Sequence, residues 1–257
     1  MKKYRLVLIA AVLAAVTGFP TLAADHGQPP VHWSYGGGAG PEKWGELKPE
    51  YKACSAGRQQ SPININIEDT LNSEIGAIEF FYKPTPLKVL NNGHTIQVDY
   101  APGSSMTVAG HRYELLQFHF HAPSEHRING KRARMEAHLV HKNAAGELAV
   151  VGVMMNRGAA NGTVAAIWKH IPHELDKVIA VDGVTVNAAD LLPAKPQRFY
   201  HYMGSLTTPP CTENVSWFVM KYDVSVADSQ LTDFGYTIGS NARPVQPLNR
   251  RFILVNE

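Results

Sequence analysis

Two segments of this 257-residue chain carry the side chains best placed to do chemistry. One is Leu115-Leu116-Gln117-Phe118-His119-Phe120-His121, the other Glu136-Ala137-His138-Leu139-Val140-His141. Successive side chains of a strand point to opposite faces, so residues at i and i+2 project together. Gln117, His119 and His121 then share one face, and Leu116, Phe118 and Phe120 form an apolar face directed at a core. In the second segment Glu136, His138 and Val140 share a face. If the two strands lie side by side, His119, His121 and His138 form a set of three neutral nitrogen donors. Such a set with an open fourth position, where water can sit, is a catalytic metal arrangement. Gln117 and Glu136 each precede a histidine by two residues on the same face, placed to accept the other ring N–H. A lone strand histidine is usually an ordinary core or surface residue, so it is the combination that points to a metal. Imidazole suits copper, iron and nickel as well as zinc, and spacing alone does not choose.

The elements that must position these side chains are mostly strands. Ile63, Ile65 and Ile67 alternate with polar residues. Further short strands are expected at Ile75–Tyr82, Leu87–Asn91, Thr95–Tyr100, Ser105–Val108, Tyr113–His121, Ala133–Lys142, Leu148–Asn156, Arg198–Met203 and Val215–Tyr222. Asn91-Asn92-Gly93 and Asn129-Gly130 are turn signals. Helices are expected only at Gly162–His170 and Ala227–Phe234, with a short turn at Ala188–Leu192. Residues 25–57 look like an irregular arm held on a core by Trp33, Tyr35 and Trp44. With no repeat or linker, residues 25–257 read as one domain. The fold class is mainly β, a large central sheet with short peripheral helices.

The first residues read differently. Lys2, Lys3 and Arg5 precede an apolar run from Leu6 to Val16, then Pro20 and the small residues around Ala23 and Ala24. This is the layout of a secretory signal peptide, residues 1–24, with cleavage after Ala23 or Ala24. The run is shorter than the ~20 residues a spanning helix needs. Lys and Arg total 24 against 22 Asp and Glu, with no basic run beyond the signal, which argues against a nucleic-acid partner. The two cysteines, Cys54 and Cys211, are far apart and form no C-x-x-C motif. In an exported chain they read first as one disulfide, with two unrelated buried thiols as the alternative.

The chain resembles the α-class carbonic anhydrases, and more closely their bacterial secreted or periplasmic branch. The resemblance runs from His32-Trp33-Ser34-Tyr35-Gly36 to Asn241-Ala242-Arg243-Pro244-Val245-Gln246-Pro247-Leu248. It includes Gln60-Ser61-Pro62-Ile63, Leu90-Asn91-Asn92-Gly93-His94, Ser124-Glu125-His126 and Gly204-Ser205-Leu206-Thr207-Thr208-Pro209-Pro210, besides the two histidine segments. It implies a twisted, mostly antiparallel sheet. It also implies reversible hydration of carbon dioxide to bicarbonate and a proton through zinc-bound hydroxide. By the same resemblance His119, His121 and His138 hold one Zn2+ per chain, and Gln117, Glu136 and the backbone of Asn241 support them. Thr207 and Glu125 orient the hydroxide, and His94 shuttles the proton. Val140, Val150, Leu206, Val215 and Trp217, with the polar Thr208, line the substrate pocket. Tyr35, Asn92, Gln97 and Tyr202 order water or hydroxyls in the cleft. A homodimer is compatible with the branch. Three features depart from the animal pattern: only Ala122-Pro123 separates His121 from Ser124, Gln97 replaces a familiar Asn, and Ala242 replaces a common Trp. All three metal-ligand positions are retained.

Overall fold

Adjacent residues along the histidine segments face opposite ways, and the sheet turns that alternation into two layers. The structure is a computed structural model and describes residues 32–257. The expected signal peptide lies outside the described residues. In chain order the strands are β1 (Asn64–Ile65), β2 (Leu71–Asn72), β3 (Glu79–Phe81), β4 (Thr85–Asn91), β5 (Ile96–Asp99), β6 (Ser105–Val108), β7 (His111–His121), β8 (Arg127–Ile128), β9 (Met135–Lys142), β10 (Leu148–Arg157), β11 (Val178–Val186), β12 (Phe199–Ser205), β13 (Glu213–Met220), β14 (Val224–Val226) and β15 (Leu254–Asn256). Thirteen of them form one sheet, with the path β11-β4-β5-β7-β9-β10-β13-β12-β15-β2. Pairings are mostly antiparallel, as expected; β10–β13, β10–β14 and β15–β2 are parallel. β1 and β8 make a separate parallel pair.

One cross-sheet row explains the fold and the next explains the site. Val89, Val98, Phe118, Leu139, Val151 and Phe218 stand opposite one another across six strands. All six are buried in the main apolar cluster. Each such side chain contributes about 1.5–3 kcal/mol on leaving water. The neighbouring row, one residue along, faces the other way: Gln97, His119, His138, Gly152 and Val219. The core row therefore fixes the register that brings His119 opposite His138, because a one-residue slip would turn both rows over.

The expected apolar set on β7 needs one correction. Phe118 and Phe120 are buried, but Leu116 is exposed and Leu115 is buried in its place. The β7–β9 register shifts between Leu115 and Gln117. Leu116 is the extra residue of a bulge, which inverts the alternation upstream of it.

Other differences follow from length. The alternation at Ile63–Ile67 yields only β1 before a 3₁₀ turn at Ile67–Asp69, and Ile75–Tyr82 yields only β3. Strands β2, β14 and β15 are too short to show a period. β11 was not anticipated because its register breaks between Ala180 and Thr185, around Gly183. The expected helices are present as α3 (Gly162–Trp168) and α4 (Asp228–Thr237), and the turn as Ala188–Leu191. Two single-turn helices in the N-terminal arm, α1 (Trp44–Leu47) and α2 (Ala53–Ala56), were not foreseen. Among the described residues no helix is long and apolar enough to cross a membrane.

The arm is anchored covalently. Cys54 and Cys211 form a disulfide across a separation of 157 residues. They pack in one cluster with Trp44, against Trp33 and Tyr35. Closing so long a loop restricts the unfolded chain far more than the folded one. Replacing both cysteines with Ser is expected to lower unfolding free energy by about 2–5 kcal/mol. Denaturant titration checks this; an unchanged midpoint would refute the loop-closure argument.

Candidate metal centre

β7 and β9 lie side by side, and His119 stands directly opposite His138 while His121 stands opposite Glu136. The ring centroids of His119, His121 and His138 are 5.0, 5.3 and 4.5 Å apart. A donor nitrogen from each ring lies within 4.8 Å of the others, so one ion can reach all three.

The other nitrogen of each ring is accounted for. His119 Nδ1 donates to Gln117 Oε1 at 2.8 Å, and His121 Nδ1 to the Asn241 carbonyl at 2.8 Å. His138 Nε2 lies 3.0 Å from Glu136 Oε1. These partners leave Nε2 of His119, Nε2 of His121 and Nδ1 of His138 for a metal. His121 Nε2 is buried with no hydrogen-bond partner among the described residues, and so is Glu125 Oε2, 3.6 Å away. An unpaired buried nitrogen is costly, and a cation held by the trio would satisfy it. In a second convergent group, His126, Glu136 and His138, the His126 ring is already fully engaged. Both nitrogens of His126 are taken up, by Glu136 Oε1 at 2.7 Å and the Tyr202 hydroxyl at 2.6 Å.

The electrostatics favour neutral donors. Burial pulls the pKa of His119 well below that of free imidazole, with His121 and His138 adding to the effect. Burial brings His121 down to about 4 and lowers His138. Burial alone would raise Glu136, but the charge and hydrogen bonds of His126 and His138 prevail and hold it well below the usual carboxylate range. Glu136 also accepts from the N–H groups of Glu125 and His126, both at 2.9 Å. Gly152 makes room for it, since a Cβ there would meet Glu136 Oε1 at 2.9 Å. Burial raises Glu125, while His138, the Thr207 hydroxyl and the Arg243 N–H work against it.

Around the trio, Val140, Val150, Val215 and Trp217 belong to one buried apolar cluster, with Leu206 packed on it. Trp217 meets the His138 ring edge-on at 4.8 Å. Thr207 is buried and Thr208 half-buried, on the loop that ends at Cys211, whose N–H donates to the Thr208 carbonyl at 2.8 Å. His94 stands apart from the trio. Its ring stacks on Trp33 at 3.7 Å and lies parallel to His32 at 4.9 Å. Burial and His32 lower its pKa, with Asp176 opposing. The Tyr35 hydroxyl is buried and has no hydrogen-bond partner among the described residues; burial and then Glu125 push it well above the usual phenol value.

Three residues expected to order water or hydroxyls also make contacts within the protein. Asn92 Oδ1 accepts from the N–H groups of His94 and Thr95 and shapes the turn. Gln97 Nε2 donates to Asp99. Tyr202 is buried behind the ligands, its hydroxyl bonded to His126 and Ser61. His126 and Ser61 lay within quoted motifs but were given no part; the signal was His126 following Glu125 directly. The Asn241 side chain was also missed. It donates to the carbonyls of His94 and Phe120, both at 2.9 Å, and accepts from the Ala122 N–H. A cavity of about 810 Å³ lined by Trp168, His173, Asp233 and Tyr236 is separate from the trio.

Comparison with known proteins agrees with this geometry. Residues 39–257 match the family described as eukaryotic-type carbonic anhydrase. A carbonic anhydrase of Neisseria gonorrhoeae is 44% identical over 249 residues, 96% of each chain. One of Nostoc sp. is 44% identical over 227 residues, 87% of this chain and 86% of the relative. The solved α-carbonic anhydrase of Thermovibrio ammonificans superposes with a TM-score of 0.84 at 42% identity, covering 87% of this chain and 98% of that one. On matched length, identity and fold together, the chain belongs to the α-carbonic anhydrase family.

Proposed function

We propose that His119, His121 and His138 hold one zinc ion and that the chain catalyses the reversible hydration of carbon dioxide to bicarbonate and a proton. The observation that carries this is the set of three imidazoles, two buried and His119 half-buried, with one donor nitrogen from each converging; the second nitrogen is hydrogen-bonded in His119 and His121 and lies 3.0 Å from Glu136 Oε1 in His138. Family membership supports zinc over the other metals that imidazole suits. The chain is a lyase.

Bound there, zinc supplies Lewis acidity, bringing the pKa of water at the site to roughly 7, the value for which carbonic anhydrases are known. Three neutral ligands leave the ion its full charge. Thr207 has one hydroxyl proton. Given to Glu125, it leaves Thr207 able only to accept, so the attacking oxygen is turned with a lone pair toward the substrate carbon. Val140, Val150, Leu206, Val215 and Trp217 offer an apolar rest for carbon dioxide. Glu136 holds the His138 ring, and Gln117 and the Asn241 carbonyl hold the other two. His94 takes the released proton at the rim, where an imidazole exchanges with solvent near neutrality. The buried disulfide and the layout of residues 1–24 support export to an oxidising compartment, the periplasm for a bacterial chain.

Stopped-flow measurement of carbon dioxide hydration, with and without a chelator, tests the whole reading; activity untouched by complete metal removal would end it. His138→Ala should no longer retain one zinc per chain on metal analysis, and full occupancy would refute the ligand assignment. Thr207→Ala should keep its zinc but lose on the order of 10²-fold in kcat/KM; unchanged kinetics would contradict the orientation argument. His94→Ala should lower kcat about tenfold or more at low buffer while kcat/KM barely moves, with recovery in imidazole buffer. Equal loss in both parameters without rescue would mean a structural role.

A further inference from the structure

Arg127 and Arg132 stand outside the machinery described above. They flank a two-residue turn, Asn129-Gly130, in which both residues have positive φ, 48° and 77°. This is the tight hairpin geometry that aligns the flanking residues in pairs. Ile128 and Lys131 exchange both backbone hydrogen bonds, each at 3.0 Å. Arg127 and Arg132 are therefore the next pair, the non-hydrogen-bonded kind in which side chains stand closest. The Arg127 N–H points away, to the Ile63 carbonyl at 3.2 Å.

Like charges directly opposite on a hairpin are destabilising. Arg157 pairs with Asp228 and Lys221 with Glu257. Neither Arg127 nor Arg132 has an ion pair among the described residues. The Nε of each is buried and lacks a hydrogen-bond partner. Asp223, across a cavity of about 420 Å³ lined also by Arg132 and Lys131, already accepts from Asn156 Nδ2 at 2.7 Å. Burial and the charge of Arg127 lower the Arg132 pKa, opposed by Glu125 and Glu136 on the interior side. Both of those carboxylates hydrogen-bond within the site described above.

We propose that Arg127 and Arg132 form a binding site for a small dianionic oxyanion of the phosphate type, held by both guanidiniums. Two adjacent positive charges, neither in an ion pair among the described residues, favour a ligand of double negative charge. Two planar forks with unused N–H groups match an anion that presents several oxygens. An anion would be held through the terminal guanidinium N–H groups, since each Nε is closed off from solvent. None of the three metal-ligand candidates takes part, so occupancy here is separable from the hydration site.

The test is calorimetric titration of the metal-loaded protein with inorganic phosphate at constant ionic strength, with chloride and acetate as controls. The expected result is one phosphate per chain, bound more tightly than either control. Arg127→Gln and Arg132→Gln, made singly so that each keeps one cation, should each weaken phosphate binding about tenfold or more. Carbon dioxide hydration should stay at the parent level in both. Arg132→Lys keeps the charge without the fork and should also bind more weakly than the parent. No heat of binding in the parent would overturn the site. Phosphate binding that persists undiminished in both Gln variants would place the anion elsewhere, the metal centre included. Acetate binding as tightly as phosphate would overturn the dianion assignment.

Discussion

The carboxylate of Glu136 is the interaction on which the rest of this structure leans. It is fully buried, where an ionised group survives only if its oxygens are matched. The matching groups are the His138 ring, the His126 ring and the backbone N–H groups of Glu125 and His126. One side chain thus orients a ligand and pins the loop that presents Glu125. Through His126 it also reaches Tyr202 and Ser61. Ser61 in turn exchanges hydrogen bonds with Ser205, two residues before Thr207. The ligand strand and the loop carrying Thr207 are consequently joined by one continuous polar chain inside an apolar shell.

That chain also explains what could and could not be read from the sequence. The metal trio was partly legible because a strand has a period of two: spacing put His119 and His121 on one face, and His138 joined them only through the pairing of β7 with β9. The buried relay was not legible, since Ser61, His126, Glu136 and Tyr202 come together only after β7, β9, β12 and the segment before β1 have paired. Spacing within a strand shows what one element presents. It does not show which carboxylate in a second element will meet which ring in a third. Leu116 marks the same limit from the other side. A bulge is a property of two strands in register, and nothing in Leu115-Leu116-Gln117 by itself says which leucine faces water.

The protein contacts of Asn92 and Tyr202 were illegible for a related reason. Both are polar residues near a cleft, and either could have faced water. Asn92 is drawn into its own turn because an Asx side chain competes for the adjacent backbone N–H groups. Tyr202 is drawn inward because its ring lies parallel to Trp217 at 6.3 Å, leaving the hydroxyl to find partners behind the ligands. Local competition and packing set these contacts, which residue type alone does not show.

Asn241 links parts of the site that are otherwise independent. Its carbonyl holds the His121 ring, its amide reaches the backbone of His94 and Phe120, and its Oδ1 holds Ala122. For a protein changing over evolutionary time, such a position is pleiotropic. Any replacement disturbs the floor of the cleft and the placement of its rim in the same step, so neither trait can drift alone through this residue. Thr208, half-buried and hydrogen-bonded through its carbonyl, carries no such linkage. Lineages of this fold have room to diversify their cleft walls at positions of the second kind, while positions of the first kind bind floor and rim into one inherited unit.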